Sequence, residues 1–294
     1  MHFTADRNGK IKPEDSAQDR LLTVLYGHGA GRVLLKLLIS PAFSKLGGRL
    51  LDSGFSKALI PLFIKNHGIH MEDFEKRQYT SYNDFFTRRL APGARKVEEQ
   101  PELFVSPCDS RLAVYALDGR KRFRIKNTLY TAESLLRSRK LAEKYRGGYV
   151  WVFRLCVEDY HRYIYTDGGC TSKNVRIPGV FHTVNPAAND KVPVYKENTR
   201  EYCLLRSENF GTVVLMEVGA MLVGKIENRP VKGKVKRGQE KGNFAFGGST
   251  VILMTQAGAV LPDADILENS LRGMETKVRL GERVGIGMFS GKGV

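Results

Sequence analysis

Hydrophobic and polar positions divide this chain into a helical N-terminal part and a longer part rich in strands. Between residues 19 and 69 the apolar residues fall into three clusters, separated by glycines and by Pro41 and Pro61. Apolar clusters interrupted in this way predict several short amphipathic helices rather than one long helix. The three clusters lie at residues 21–25, 33–39 and 55–64.

Two further helices are predicted downstream. One lies within residues 79–95, with Asn83 as its cap and Pro92 at its end. The other spans residues 131–145, with a Ser/Thr cap and a basic last turn.

Short apolar runs typical of strands dominate from residue 103 onward. The last of these runs, 250–254, is so apolar that we expect a buried central strand. The pattern as a whole predicts an α+β fold, in which short N-terminal amphipathic helices precede a predominantly antiparallel β-rich body. The predicted strands are 103–106, 111–116, 122–126, 149–156, 174–176, 212–218 and 250–254.

Composition limits the size and the surroundings of this fold. The chain has 294 residues, of which 42% are hydrophobic, enough for one large domain or two modest ones. Residues 1–16 are polar, lack the apolar segment of a signal peptide and are predicted to be disordered. No run approaches the roughly 20 apolar residues of a membrane span. The four cysteines form no Cys-x-x-Cys pair, which disfavours a zinc site and suits a reducing compartment.

Charge changes the picture more than composition does. The net charge of +16 requires an anionic partner or surface, and nucleic acid and acidic lipid are the two candidates. Between Arg20 and Ile69 the chain has seven basic residues and one acid, Asp52. Short, apolar, basic helices are typical of elements that lie in a membrane interface. The alternative is a helical cap packed on the β-rich body with a solvated basic face.

Candidate chemistry centres on the sequence Gly247-Gly248-Ser249-Thr250, which joins two strand-like runs. Taken alone, it is most simply a hairpin turn. A strained turn there would also bring the Ser249 hydroxyl onto the carbonyl of Gly248, the geometry that an N→O acyl shift requires.

Three other residues complete a possible catalytic set. His161 follows a predicted strand and is suited to act as a base or an acid, although a lone histidine is more often structural. His182 also lies in the β-rich body. Asp109 follows another strand, and an aspartate can orient a histidine that activates a serine hydroxyl. Sequence alone does not show whether these groups meet.

Five segments, taken together and in this order, resemble the phosphatidylserine decarboxylases, a family of self-processing enzymes that depend on a pyruvoyl group. The resemblance extends from about residue 21 to residue 287. The segments are 85–90 (FFTRRL), 105–109 (VSPCD), 159–162 (DYHR), 218–226 (VGAMLVGKI) and 236–250 (KRGQEKGNFAFGGST).

The resemblance implies that Ser249 attacks Gly248 and that the chain cuts itself there into a large chain, 1–248, and a small chain, 249–294. Former Ser249 becomes a pyruvoyl group, which is the expected cofactor, with no metal. The amine of phosphatidylserine forms a Schiff base with it, and loss of CO₂ leads to phosphatidylethanolamine. The expected class is a carboxy-lyase of phospholipid biosynthesis.

The resemblance also implies an organisation and a set of partners. Residues 17–98 form a membrane-associating helical region, and residues 99–294 form the β-rich catalytic domain. The expected partners are an anionic phospholipid surface, the lipid substrate, the two chains of one precursor and a second copy in a homodimer, with no nucleic acid. The expected location is the cytoplasmic face of the cell membrane, as a peripheral protein.

Site roles follow the resemblance residue by residue. Asp109 and a histidine serve as the processing base for Ser249, and His161 also assists decarboxylation, as a proton donor. The chain departs from the pattern at two places. Ile164 stands where many members have a second histidine, so that His161 or His182 performs the role of that histidine. Ser110 replaces the usual glycine after Asp109.

Two other functions are compatible with parts of the sequence. A pyruvoyl decarboxylase of a soluble amino acid keeps the self-cleavage but has no need of a basic helical surface. A non-catalytic basic β-barrel that binds nucleic acid fits the aromatic and basic residues near Tyr163, but leaves Ser249 unexplained and predicts an uncut chain.

Overall fold

The computed structural model describes residues 2–14, 38–117, 123–125, 128–189, 192–220, 225–229, 232–245 and 249–288. The first predicted apolar cluster and most of the second lie outside these residues, as does Gly248.

Short helices occupy the described N-terminal part, as the third apolar cluster predicted. Helix α1 (Pro41–Asp52) begins at Ser40, whose Oγ accepts from the N–H of Phe43 at 3.2 Å. A 3-10 helix (Gly54–Leu59) leads into α2 (Ile60–His67), which ends at Gly68 in the left-handed conformation. None of the described helices is both long and apolar enough to cross a bilayer.

The prediction that Asn83 caps a helix is wrong. Helix α3 (Tyr82–Phe86) is capped by Ser81, whose Oγ accepts from the N–H of Asp84 at 3.1 Å. Asn83 lies inside the helix and donates to Asp52 Oδ1 at 2.8 Å, so it ties α3 to the end of α1 instead.

The helix predicted over 131–145 is two helices, α4 (Ala132–Leu136) and α5 (Arg139–Glu143). Thr131 caps the first of them through a reciprocal pair of hydrogen bonds with Ser134. Arg137 adopts a left-handed conformation, with a φ of 53°, and interrupts the helix. The other described helices are α6 (Pro186–Asn189), α7 (Val194–Glu197) and α8 (Ala264–Leu271).

Strands build the rest of the molecule, and most of the sheet pairs are antiparallel. Each predicted strand overlaps an observed one, but the eight-residue strand β11 and further short strands were not predicted. The strands are β1 (His2–Ala5), β2 (Ile11–Glu14), β3 (Leu103–Val105), β4 (Ser110–Ala116), β5 (Phe123–Ile125), β6 (Thr128–Tyr130), β7 (Tyr149–Leu155), β8 (Arg162–Ile164), β9 (Gly169–Thr171), β10 (Val175–Ile177), β11 (Arg200–Ser207), β12 (Thr212–Val218), β13 (Ile226–Asn228), β14 (Gly233–Val235), β15 (Glu240–Phe244), β16 (Ser249–Thr255), β17 (Val260–Pro262), β18 (Glu275–Val278) and β19 (Arg283–Gly287).

Eleven of the described strands form one large sheet. Its order is β14-β9-β11-β12-β16-β7-β4-β18-β1-β2, with β10 beside β11. Three strands, in the order β13-β15-β8, form a separate small sheet, and β17-β19-β3 form another. The α+β prediction is confirmed.

Strand β16 is buried at every position and lies between β12 and β7, as predicted for a central strand. Because side chains alternate across a strand, its two faces enter different cores. Val251 and Leu253 pack in one core with Tyr163 of the small sheet. Ile252 and Met254 pack in the other, which also contains residues of the helices α4, α6 and α7.

The prediction that residues 1–16 are disordered is wrong for residues 2–14. They form a hairpin whose strand β1 pairs in parallel with β18. Arg7 lies in the turn and forms ion pairs with Asp263 at 2.8 Å and Asp265 at 2.7 Å. The partners of this polar segment lie more than 250 positions away, so a local reading of the sequence misses them.

Candidate active site

Ser249 begins the central strand β16. It pairs with Leu155 at the end of β7 and is fully buried. Its Oγ has no hydrogen-bond partner among the described residues. Buried hydroxyls normally have a hydrogen-bond partner. Because this one has none, its oxygen is available to act as a nucleophile.

His161 lies just ahead of β8 and is also fully buried. Its Nδ1 lies 2.9 Å from the backbone oxygen of Asp159, and its ring packs on Phe86 with 4.1 Å between centroids. A carbonyl only accepts, so Nδ1 carries the proton and Nε2 is the basic atom. Nε2 has no partner within the described part of the chain. Burial, and then the charge of Arg88, lower the pKa of His161 to about 3, so the ring is neutral near pH 7.

The side chains of Ser249 and His161 face the same layer. Ser249 is on the face of β16 that includes Val251, which packs against the small sheet. The N–H of Phe244 donates to the oxygen of His161 at 2.9 Å, so these residues are opposite each other in the ladder and share a face. Phe244 belongs to the same core as Val251. The side chains of Ser249 and His161 therefore both project between the two sheets.

The loop that carries His161 is fixed at both ends. Asp159 Oδ2 accepts from the N–H of Cys156 at 2.7 Å and from Arg111 Nη1 at 2.7 Å. Arg88 Nη2 donates to the backbone oxygen of Glu158 at 3.1 Å. Burial raises the pKa of Asp159 to about 6, although Arg111 opposes the shift. Arg88 and Asp159 lie in segments that carry the family resemblance, but no role was assigned to them or to Arg111 from the sequence, because nothing in a local pattern marks an arginine as buried.

Asp109 is close to this loop but makes different contacts from those expected. Arg95 binds its carboxylate through Nη2 at 2.8 Å and Nε at 3.2 Å, and the N–H of Leu280 donates to Oδ1 at 2.7 Å. No hydrogen bond joins it to His161, whose orientation comes from the backbone of Asp159 instead. Ile164 packs with Leu280, so the position of the missing second histidine is beside the loop that holds Asp109.

His182 is held elsewhere. Its N–H donates to Asn198 Oδ1 at 2.8 Å, and its Nε2 lies 3.3 Å from Glu197 Oε2. Burial lowers its pKa, with Glu197 opposing the shift. The neighbouring Val184 packs in the core on the other face of the large sheet. His182 is nevertheless linked to the end of β12 through Asn198. The Nδ2 of Asn198 donates to the backbone oxygen of Gly219, the residue that follows β12, at 2.8 Å.

The inter-sheet layer also contains an ion pair that the sequence did not reveal. Lys241 Nζ on β15 lies 2.6 Å from Glu217 Oε2 on β12, and both side chains are almost completely buried. Asn228 accepts from the same ammonium at 2.8 Å and donates to the same carboxylate at 3.0 Å. This pair joins the small sheet to the large one close to Ser249.

These residues fit a pyruvoyl group made from Ser249. The hydroxyl is buried away from water, has no competing partner and faces the same layer as a neutral imidazole with a free Nε2. Within the described ranges, no three His, Cys, Asp or Glu side chains are grouped as metal ligands.

Comparison with known proteins identifies the family. The model of the phosphatidylserine decarboxylase family matches residues 82–286. Phosphatidylserine decarboxylase proenzyme 2 of Clostridium acetobutylicum is 44% identical over 277 residues, which cover 94% of this chain and 95% of the relative. The phosphatidylserine decarboxylase proenzyme of Ruminiclostridium cellulolyticum is 39% identical over 287 residues, covering 95% and 96%. That of Clostridium tetani is 39% identical over 277 residues, covering 92% and 93%.

Fold, site and similarity together define a carboxy-lyase that carries a pyruvoyl group. The chain belongs to the phosphatidylserine decarboxylase family. The predicted family, enzyme class and cofactor are thereby confirmed. The comparisons support neither a soluble amino acid as substrate nor a nucleic-acid-binding barrel.

Proposed function

We propose that this chain cuts itself between Gly248 and Ser249 and then decarboxylates phosphatidylserine to phosphatidylethanolamine. The observation that carries the proposal is the buried Ser249 Oγ without a partner, facing the same layer as the free Nε2 of His161. The names of the relatives, all phosphatidylserine decarboxylase proenzymes, support the same activity and a precursor that is processed.

Self-cleavage needs one base and no outside reagent except water. His161 Nε2 takes the proton of Ser249 Oγ, which attacks the carbonyl carbon of Gly248. The C–N bond breaks and an ester forms. Loss of the Cα proton of Ser249 then expels the Gly248 carboxylate, and hydrolysis of the remaining enamine releases ammonia. The large chain, 1–248, ends in a carboxylate, and the small chain, 249–294, begins with the pyruvoyl group.

The pyruvoyl group supplies an electron sink for the carbanion left by CO₂. The chain's own residues supply the rest. His161 exchanges a proton through Nε2, because Nδ1 is committed to the Asp159 oxygen. The two cores on either side of β16 exclude water from the site. Asp109 acts by holding its own loop in place through the ion pair with Arg95, and His182 is the second candidate for the processing base.

A membrane surface is the proposed source of the substrate. Exposed apolar side chains cluster on α1, α2 and the 3-10 helix between them, and Phe55 is 94% exposed. Exposed Arg49, Lys57 and Lys65 lie among them. Apolar side chains with interspersed basic ones suit the interface of an anionic leaflet. The exposed apolar members of this patch are Leu46, Leu50, Phe55, Leu59 and Leu62.

The remaining proposals concern assembly and location. We expect a homodimer, which light scattering of the purified protein tests, and attachment to the cytoplasmic face of the cell membrane, which fractionation tests. A mass equal to one large and one small chain would exclude the dimer.

The proposed function is tested by intact mass and by decarboxylation of phosphatidylserine in mixed micelles. Wild-type protein should give two chains divided after Gly248 and should release CO₂. Ser249→Ala should stay whole and inactive. Thr255→Val removes another buried hydroxyl from the same face of β16 and should still be cut. An uncut wild-type chain with full activity would overturn the mechanism, and a cut chain inactive on phosphatidylserine would overturn the substrate.

A further inference from the structure

Arg88 is a buried cation with donors that no described residue accepts. It is 1% exposed; Nη2 donates to Glu158, but Nε and Nη1 have no partner among the described residues. Burial lowers the pKa of Arg88 to about 10, so the guanidinium is charged at neutral pH. A buried donor without an acceptor destabilises the fold, and more strongly when it is charged. An acceptor that comes from outside the chain would remove this cost.

The two carboxylates whose charges act on Arg88 already have other partners. Asp109 accepts from Arg95, and Asp159 accepts from Arg111. Arg88 instead lies over the ring of Phe74, with 4.3 Å from its Cζ to the centroid. Stacking on an aromatic ring leaves the in-plane N–H groups of a guanidinium available to an anion.

The position of Arg88 is between the exposed apolar patch and His161. Its Cζ also lies 5.0 Å from the ring centroid of Phe85, and Phe85 contacts Phe63 of α2 with 6.1 Å between centroids. On the other side, Phe86 packs on His161. The contacts therefore run from α2, which carries Leu62 of the patch, through Phe85 to Arg88, and the adjoining Phe86 reaches the catalytic histidine.

The geometry points to Arg88 as the residue that binds the phosphodiester of the lipid headgroup; this inference rests on the proposed function. In phosphatidylserine the phosphodiester lies between the acyl chains and the serine, which is the order of patch, Arg88 and His161. The alternative anion is the serine carboxylate. An arginine paired to that group would stabilise the ground state more than the transition state, because the charge leaves the carboxylate during the reaction. The phosphodiester keeps its charge throughout.

The test compares Arg88→Met and Arg88→Lys with Arg89→Met, the same change at the exposed neighbouring arginine. Cleavage is followed by intact mass, and KM and kcat are measured with phosphatidylserine in mixed micelles. Binding of dihexanoyl phosphatidylethanolamine, which has the phosphodiester but no carboxylate, is measured by calorimetry on each variant in an uncut Ser249→Ala background.

We expect Arg88→Met to be cut, to raise KM at least tenfold and to weaken binding of the ethanolamine lipid at least tenfold. Arg88→Lys should fall between it and wild type, and Arg89→Met should match wild type. If Arg88→Met is not cut, Arg88→Lys decides by the same two measurements.

Unchanged KM and binding would overturn the inference. A raised KM with unchanged binding would assign Arg88 to the carboxylate instead. Wild-type protein that binds the ethanolamine lipid through Arg88 but does not decarboxylate phosphatidylserine would overturn only the proposed function.

Discussion

The Nδ1 of His161 and the backbone oxygen of Asp159 lie 2.9 Å apart, and this contact decides which ring nitrogen is basic. The hydrogen bond keeps the proton on Nδ1, so Nε2 is left with its lone pair in a buried layer that also receives the Ser249 side chain. A backbone carbonyl cannot be removed by substitution at position 159, and it holds the ring as long as the loop keeps its shape. The backbone oxygen of Asp159 thus orients His161, the role that the sequence predicted for the carboxylate of Asp109.

The pH dependence of self-cleavage should reflect this burial. The pKa of His161 is lowered to about 3, whereas an exposed histidine titrates near 6.5. The base is therefore neutral throughout the range from pH 8 to 5 and loses its lone pair only as the pH falls toward 3. We expect the first-order rate of cleavage of freshly translated precursor to be nearly level from pH 8 to 5, measured by gel densitometry of quenched samples. A tenfold decrease between pH 7 and 6 would contradict this assignment.

Replacing His161 by alanine should abolish decarboxylation and slow cleavage. His182→Ala should leave cleavage within about threefold of wild type, because its ring is paired with Glu197 and its neighbours pack on the other face of the sheet. Cleavage is read by intact mass, and decarboxylation by release of labelled CO₂ from any cut protein. A fully active His161→Ala variant would remove the histidine from the mechanism. Loss of cleavage in His182→Ala alone would transfer the processing role to His182.

Asp109→Asn should slow cleavage and destabilise the fold together. The carboxylate and Arg95 are largely buried, and removing one partner of a buried pair costs about 3–5 kcal/mol. Arg95→Gln is the informative comparison, because it breaks the same ion pair and leaves the carboxylate in place. Both variants are assayed for cleavage rate and for unfolding in urea. Equal slowing in the two would support a positioning role for Asp109. Normal cleavage in Arg95→Gln with slow cleavage in Asp109→Asn would show that the carboxylate acts directly.

The sequence predicted the strands with a strong local pattern and missed β11, in which charged residues flank a short apolar run, as well as short strands that depend on distant partners. Strands β12 and β16 were predicted to within a residue, because each is a continuous apolar run that is buried on both faces. The short strands β9 and β14 escaped notice, because their pairing with other strands, rather than their own residues, makes them extended. The N-terminal hairpin was missed for the same reason.

The candidate site was predictable as a set of residues but not as a set of contacts. Ser249 and His161 were selected as candidates because small residues beside a hydroxyl and a histidine after a strand are local signals. The arginines that surround them, Arg88, Arg95 and Arg111, gave no such signal. Their burial is a consequence of the tertiary fold, in which each is paired or stacked by a residue at least 14 positions away in the sequence.

The apolar patch should determine membrane binding without affecting cleavage. Transferring a phenylalanine from water to an apolar phase is worth about 1.5–3 kcal/mol, which is tenfold or more in affinity. We expect Phe55→Asp to weaken flotation with phosphatidylserine vesicles by that factor, while intact mass shows normal processing. Leu271→Asp is the matched control, because this leucine is 80% exposed on α8, far along the chain from the patch. Equal loss in both variants, or in neither, would exclude the patch as the binding surface.

The ion pairs of Arg7 should hold the two chains together after cleavage. Arg7 belongs to the large chain, whereas Asp263 and Asp265 belong to the small one, and β1 pairs with β18 across the same boundary. Because Arg7 is partly exposed, its loss should cost only about 1 kcal/mol. That is enough to shift the urea concentration at which the chains of the cut enzyme separate, which size-exclusion chromatography measures.

Lys12→Ala, an exposed change on β2 of the same hairpin, should leave this urea concentration unshifted. In uncut Ser249→Ala protein the chains cannot separate, so Arg7→Ala there should lower stability without releasing a fragment. If Arg7→Ala and Lys12→Ala separate at the same urea concentration as wild type, the hairpin does not join the two chains.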